Sequence, residues 1–374
     1  MSAWNTSAGA DIAVVGAGLV GSALALGFAT AGARVCLFDA GEDDFHASAG
    51  NFGLVWVQGK GLGAPDYAAL SRRSADAWSG FAAWLAETTG VETGYRRSGG
   101  IKIALDAGEL AAMAGAIARM HNQPGGDNDT TILDASALRA LVRGVGPEAV
   151  GAAYCPHDGH ADPLATLRAL SAALAGLRVR RVATRVERIS PGSRGGFRVE
   201  SAAGAVEVDR VVLAAGLGNA ALAPDVGLDA PVRPQRGQIL ATERLPRFLD
   251  IACHSVRQTA EGSALLGDSK EDVGFDRGTT QDVARAIAAR AVRTFPALAD
   301  ARLVRSWGAL RVMSPDGMPI YQSSRRYPGA SLVTCHSGVT LAAAHAGEVA
   351  RAILEDRLGQ AYPAFGAGRF EAAA

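Results

Sequence analysis

Cysteine is scarce and scattered. The 374 residues contain only Cys36, Cys155, Cys253 and Cys335, and no two of them form a CxxC pair. That spacing argues against a zinc or iron–sulfur centre carried by this chain alone. An excess of charge is also lacking, since 37 Lys and Arg balance 37 Asp and Glu. A general nucleic-acid or anionic-membrane binder would carry a basic surplus. The opening MSAWNTSAGA has neither a basic nor an apolar signal region, so no secretory signal is expected. No apolar run reaches 18 residues without a charge or turn residue, so no membrane span is expected and the chain reads as cytoplasmic. Glycine and proline together make only about 16% of the chain, too little for a low-complexity or collagen-like protein. What is present is length enough for two to three ordinary domains, with a core that needs no disulfide or metal staple. Glycine alone, 46 residues or about 12%, exceeds the usual value of about 7%. This is either background composition or a sign that the backbone must approach something closely.

Along the chain, DIAVVG (11–16), LVGSALALGFATA (19–31) and ARVCLFD (33–39) read as strand, helix and strand, a βαβ unit. Residues 66–89 have helical spacing, which places Trp78 and Trp84 in the core. Residues 109–121 form a second amphipathic helix through Leu110, Met113, Ile117 and Met120, followed by a polar loop at 122–130. Asp162 and Pro163 read as an N-cap and first helical position, with Leu164, Leu167, Leu170 and Leu174 on the buried face. Residues 177–189 and 197–213 alternate like strands, with a turn at 191–196. A helix over 281–295, a strand over 331–335 and a long helix over 339–358 complete the chain.

Residues 16–21, GAGLVG, form a G-x-G-x-x-G between strand and helix. Gly16 permits the tight turn, Gly18 admits a pyrophosphate, and Gly21 allows close helix–strand packing. The phosphates would meet the N–H groups of the helix N-terminus. Asp39 ends the second strand, 18 residues after Gly21, where its carboxylate suits a ribose hydroxyl. This signature does not choose between NAD and FAD. SAGNFG (48–53) and TCHSGVTL (334–341) favour FAD, because they offer small residues and a second glycine turn before a helix, suited to charge on a reduced flavin.

Taken together, GAGLVG with Asp39, SAGNFG followed by LVWVQGKG, DGHADP (158–163), VLAAG (212–216), PQRGQ (234–238), WGALRVMSPDGMPI (307–320) and HSGVTLA (336–342) resemble the FAD-dependent D-amino-acid oxidase superfamily. The resemblance covers about residues 10–360. It is nearest to the branch with glycine oxidase, sarcosine oxidase, the small chain of D-amino-acid dehydrogenase and the flavin chain of hydrogen cyanide synthase. NFGLVWVQGKG and HSGVTLA look most like the β-type subunits of opine oxidase and D-hydroxyproline dehydrogenase. The resemblance implies an α/β fold with an α+β cap: a Rossmann-like FAD-binding domain (1–90, 151–220 and 325–374) and an antiparallel-sheet substrate domain (91–150 and 221–324), as in glycine oxidase. It implies FAD contacts from Gly16, Ala17, Gly18, Leu19, Val20, Gly21, Asp39 and Ala40. Further contacts would come from Ser48, Asn51, Phe52, Gly53, Val186, Ala215 and Gly216, and from Ser337, Gly338, Val339 and Thr340. The 336–338 turn is shorter than in glycine and sarcosine oxidases. The position near Ala309 lacks the cysteine that tethers flavin in monomeric sarcosine oxidase, so FAD is expected to be non-covalent, with His46 the remaining candidate tether.

The chemistry implied is oxidation of an amine beside a carboxylate, with the α-hydrogen leaving as hydride to flavin N5. A carboxylate is best gripped by the planar fork of arginine. Arg311, in an apolar stretch, matches the family's carboxylate-binding arginine. His336 and His254 are candidate polar groups near the amine, and Gln58 a candidate substrate contact. Lys60 reads either as a solvated loop charge or as a residue facing the flavin. Arg233 and Arg236 read as surface, interface or substrate contacts, and Asp316 as a turn acid. The resemblance also implies partner subunits that accept electrons. The alternatives are a non-catalytic FAD-binding subunit, a self-sufficient amine oxidase and, from the glycine signature alone, an NAD-dependent dehydrogenase.

Overall fold

The computed structural model describes residues 10–41, 47–193 and 195–373; His46 lies outside them. The principal elements are β1 (Ala10–Val15), α1 (Leu19–Thr30), β2 (Val35–Phe38), α2 (Pro65–Thr89), β3 (Gly204–Leu213), β4 (Arg233–Arg244), β5 (Leu303–Met313) and β6 (Ala330–Thr334).

In the first lobe β1 lies at the centre of a sheet, parallel to β2 on one side and β3 on the other. Beyond β2 comes Arg180–Val182, and beyond β3 comes β6, both parallel to their neighbours; Ile320–Ser323 closes that edge antiparallel. Strands buried on both faces read as continuous apolar runs, as AVV and VCLF do. α1 is apolar all round because it is enclosed by the sheet, Pro163–Gly176 and the C-terminal helical segment. The strand order reverses at β1, so the carboxyl ends of β1, β2 and β3 open a crevice there.

The second lobe has two four-stranded sheets. One is antiparallel and contains Val256–Gln258, Ser263–Leu266, β4 and β5. The other contains Ala252–Cys253, Gly100–Ala104, Gly151–Cys155 and Thr131–Asp134. Their inner faces share a core around Ile101, Leu240, Leu266 and Phe295.

The structure corrects several expectations. Gly151–Cys155 pairs with Gly100–Ala104, so the domain boundary at 151 moves past this strand. Ile320–Ser323 pairs with β6, so the boundary at 325 moves before that one. Trp78 is fully buried, but Trp84 is exposed, because six positions turn a helix by about 240° and carry the second ring off the buried face. Leu164 is exposed for a similar reason: it lies opposite the face of Ala165, Ala169, Ala173 and Leu174. The long helix expected from 339 begins at Ala342 and widens into a π turn at His345–Val349. Its preceding turn is held from α2, where Ser74 Oγ donates to Thr340 O at 2.7 Å and Trp78 Nε1 donates to Val339 O at 3.0 Å.

Candidate active site

A cavity of about 900 Å³ runs from the crevice at β1 to the face of β4 and β5. The turn after β1 shapes its first end. Gly16 has φ +104°, and a Cβ there would stand 2.5 Å from Ala214 O; a Cβ on Gly18 would stand 2.9 Å from Ser48 Oγ. Gly16 thus lets the turn pack against the end of β3 and Gly18 lets it pack against Ser48, and both glycines line the cavity. Ser48 Oγ accepts from Leu19 N at 2.9 Å, while the next N–H groups of α1 have no intrahelical acceptor. Asp39 reaches back to this turn, accepting Ala17 N–H at 2.7 Å and Gly41 N–H at 2.9 Å. Each carboxylate oxygen keeps a lone pair for a further donor.

Most of the expected contacts converge here. Gly16, Ala17, Gly18, Leu19, Val20 and Asp39 line the cavity, as do Ala40, Ser48, Asn51, Phe52 and Val186. So do Ala215 and Gly216 after β3, and Ser337, Gly338, Val339 and Thr340 after β6. Gly21 and Gly53 lie outside the lining. A Cβ on Gly21 would sit 1.8 Å from Gly16 O, and one on Gly53 2.3 Å from Ala161 O, so both serve close backbone packing.

At the other end Arg311 projects from β5. Gln235 is its register partner on β4, and its guanidinium lies over Gly237, where a Cβ would be 2.5 Å from Nη2. The glycine of PQRGQ is the bed of this side chain. Arg311 Nη1 donates to Ser269 O at 2.9 Å and Arg236 O at 3.3 Å; Nη2 donates to Asp268 Oδ2 at 2.8 Å. Nε has no partner among the described residues, and the side chain is 23% exposed, facing the cavity. Arg236 itself points away, buried against Glu271 and paired with Asp276; Arg233 is exposed and pairs with Asp272. Asp316 is a turn acid that accepts Met318 N–H and also holds Arg369.

His254 and His336 both line the cavity. Burial pushes both imidazoles below their usual range, His336 to about 3, so each is neutral at pH 7. His254 packs edge-on to Trp56, with ring centres 5.8 Å apart. Gln58 is also in the lining, but its amide donors are taken by Asp158 Oδ2 at 2.6 Å and Gly100 O at 3.1 Å, which leaves Oε1 for a ligand. Lys60 is not a solvated loop charge. Its Nζ lines the cavity and donates to Ser337 Oγ at 2.7 Å, and Ser337 Oγ is hydrogen-bonded to Tyr67 OH at 2.6 Å. Burial lowers this ammonium to about 8. The segment is pinned by Asp158, whose carboxylate accepts Val57 N–H at 2.5 Å and Gln58 N–H at 3.3 Å and is raised to about 7 by burial.

Sequence reasoning missed Asp268 and Lys102, both in the lining, and Asp158 behind it. One signal was available. The chain has three lysines against 34 arginines, and Lys60 and Lys102 both face this cavity while Lys270 lies next to Asp268's neighbour Ser269. Among the described residues no group of His, Cys, Asp and Glu is placed to hold a metal, and no helix is long and apolar enough to cross a membrane.

The family model described as FAD dependent oxidoreductase, DAO, matches residues 11–352. The chain belongs to this family. It is 41% identical to an opine oxidase subunit of Agrobacterium tumefaciens (strain Ach5), over 97% of this chain and 98% of that one. It is 30% identical to glycine oxidase of Pseudomonas aeruginosa, over 89% and 92%. The solved glycine oxidase of Geobacillus kaustophilus has the same fold, with a TM-score of 0.85 at 23% identity, covering 93% of this chain and 95% of that one. This family member is an FAD-dependent oxidoreductase, and its first cavity end fits that cofactor: a tight glycine turn in the lining, open N–H groups at α1, and Asp39 with free lone pairs. The expected NAD alternative gives way to FAD.

Proposed function

We propose that the enzyme oxidises the C–N bond of an amino or imino acid to an imine, and that its substrate is an opine-type secondary amine with two carboxylates. D-Proline, D-hydroxyproline and simple D-amino acids are the narrower options. The observation that carries the reading is Arg311: a half-buried guanidinium, bedded on Gly237 and with Nε unpaired among the described residues, facing the cavity of an FAD enzyme. Such a fork suits one substrate carboxylate. Lys102, exposed on Gly100–Ala104 and lining the same cavity, suits a second. The similarity to a protein named as part of an opine oxidase supports the two-carboxylate choice. FAD, when bound, supplies the acceptor for the hydride that leaves carbon. The chain's own residues hold the carboxylates, and His254 and His336, neutral through burial, orient polar groups without adding charge. That relative is named as one subunit of its oxidase, which also supports a chain that works beside a second subunit and passes electrons to it in place of oxygen.

The test is anaerobic. Purified yellow protein is mixed with octopine, D-hydroxyproline, D-proline, sarcosine and glycine, and bleaching of the flavin band is followed. Bleaching by octopine faster than by the others is expected. Flavin that no amine bleaches refutes the reading and leaves a non-catalytic FAD subunit; rapid reoxidation by air refutes the partner-acceptor part.

A further inference from the structure

Asp268 is an unexpected group to find beside a carboxylate-binding arginine. It follows Ser263–Leu266 and enters the cavity next to Arg311. Its position is fixed from both sides. Gly267 lies on the Phe52 ring, where a Cβ would be 3.2 Å from Cε2. Ser269 Oγ accepts Gln238 N–H at 2.8 Å and donates to Glu271. Oδ2 accepts from Arg311 at 2.8 Å, whereas Oδ1 has no partner among the described residues, and the side chain is 29% exposed.

A clamp for Arg311 does not require this carboxylate. The guanidinium already donates to two carbonyls, Ser269 O and Arg236 O, and rests on Gly237. A fixed anion in contact with it also weakens its pull on any incoming carboxylate, which costs affinity unless the anion contributes to binding. Without Asp268 the described lining of this end would present Arg311, Lys60 and Lys102 with only Asp158, buried behind it, to oppose them, and would accept any small carboxylate. With it, an arriving molecule must offer a positive group as well.

We infer that Asp268 recognises the substrate's ammonium nitrogen, so that the Arg311–Asp268 pair forms the complement of a zwitterion. On binding, the substrate carboxylate takes the free edge of Arg311 and the ammonium takes Oδ1 of Asp268, with no net change in charge. His254, beside Asp268 and neutral, completes the wall without competing for the cation. The assignment rests on the amine-oxidation reading for its substrate but is tested without turnover.

The probes are 2-aminoisobutyrate and 2,2-dimethylpropanoate. They have nearly the same shape, differ by an ammonium in place of a methyl, and the first has no α-hydrogen to lose. Binding to the FAD-loaded enzyme is measured at pH 7.5 by calorimetry and by the visible flavin spectrum. The wild type is expected to prefer 2-aminoisobutyrate by roughly tenfold or more. Asp268→Asn is expected to weaken 2-aminoisobutyrate by roughly thirtyfold while leaving dimethylpropanoate unchanged or tighter, because Arg311 is freed. Asp268→Glu is expected to keep the preference. Equal loss of both ligands in Asp268→Asn would make Asp268 a clamp for Arg311 and overturn the proposal. Equal affinity of the wild type for both probes would overturn it whether or not the variant folds. If no amine bleaches the flavin yet the ammonium preference holds, the reaction is refuted and the recognition stands.

Discussion

The charge on Arg311 is the single side-chain property on which the proposed reaction depends most. Its guanidinium is held by two carbonyls and the Asp268 carboxylate, all at the far end of the cavity from the α1 turn, so removing it is expected to leave the fold and the cofactor site intact. Arg311→Met is expected to raise KM for the amine by roughly thirtyfold, about 2 kcal/mol, the low end for a charge pair because the site is partly open. The FAD content, read from the ratio of visible to ultraviolet absorbance, should be unchanged. Loss of FAD together with activity would show that the residue is structural. Asp39 gives the opposite pattern. Its carboxylate receives Ala17 N–H, so Asp39→Ala removes the proposed ribose partner and also strands a backbone donor of the phosphate turn. Dialysis should strip FAD from that variant and not from wild type. Retention of a full complement of FAD would count against the ribose assignment.

At the scale of elements, the cavity depends on two segments that bring residues in from a distance. One is β4 against β5: Gly237→Ala puts a Cβ into the guanidinium of Arg311 and is expected to reproduce the high KM of Arg311→Met with FAD retained. A KM equal to wild type would show that Arg311 can rest elsewhere. The other is the stretch 56–60, tied to Asp158 by three hydrogen bonds. Asp158→Ala orphans two backbone donors and an amide, and urea unfolding should show a loss of about 3 kcal/mol. These segments also explain what could be read in advance. The βαβ unit, its glycines, Asp39 and the turn after β6 were legible because turn, helix and strand chemistry are local. Arg311, His254 and His336 were picked out as single residues and do reach one cavity. Asp268, Lys102 and Asp158 were not legible as a group, because strand pairings between distant stretches bring them together and no spacing records that. The exposed Leu164 and the π turn at His345 arise in the same way, from what packs against each helix.

Across the whole molecule, two lobes close around one cavity and leave buried histidines in both the core and the lining. His160 is pushed down to about 4 and His336 and His345 to about 3, all chiefly by burial, from an ordinary 6.5. Unfolding releases each to its ordinary value. Between pH 6.5 and about 4 the unfolded chain therefore binds three protons that the native state does not take up, and His254, also lowered by burial, acts in the same sense. Asp158 acts in the opposite sense: raised to about 7 from 3.8, it is protonated in the native state over the same range and ionised when unfolded. The difference is at least about two protons in favour of the unfolded state, so stability must fall as the pH falls, by about 3 kcal/mol per pH unit or more near pH 5. The sign follows from the unfolded state binding more protons, and above pH 7 these groups contribute little further slope. Denaturant midpoints of the FAD-saturated enzyme should accordingly be similar at pH 7.5 and 7.0 and drop steeply from 6.5 to 5. His345 is fully buried beneath the first sheet and bonded to Tyr321 OH at 2.7 Å, away from the cavity lining. His345→Gln should reduce the acid slope by about one proton while leaving amine oxidation at pH 7.5 intact. A flat profile between pH 7 and 5, or an unchanged slope in the variant, would show that these imidazoles meet water or a partner in the native protein.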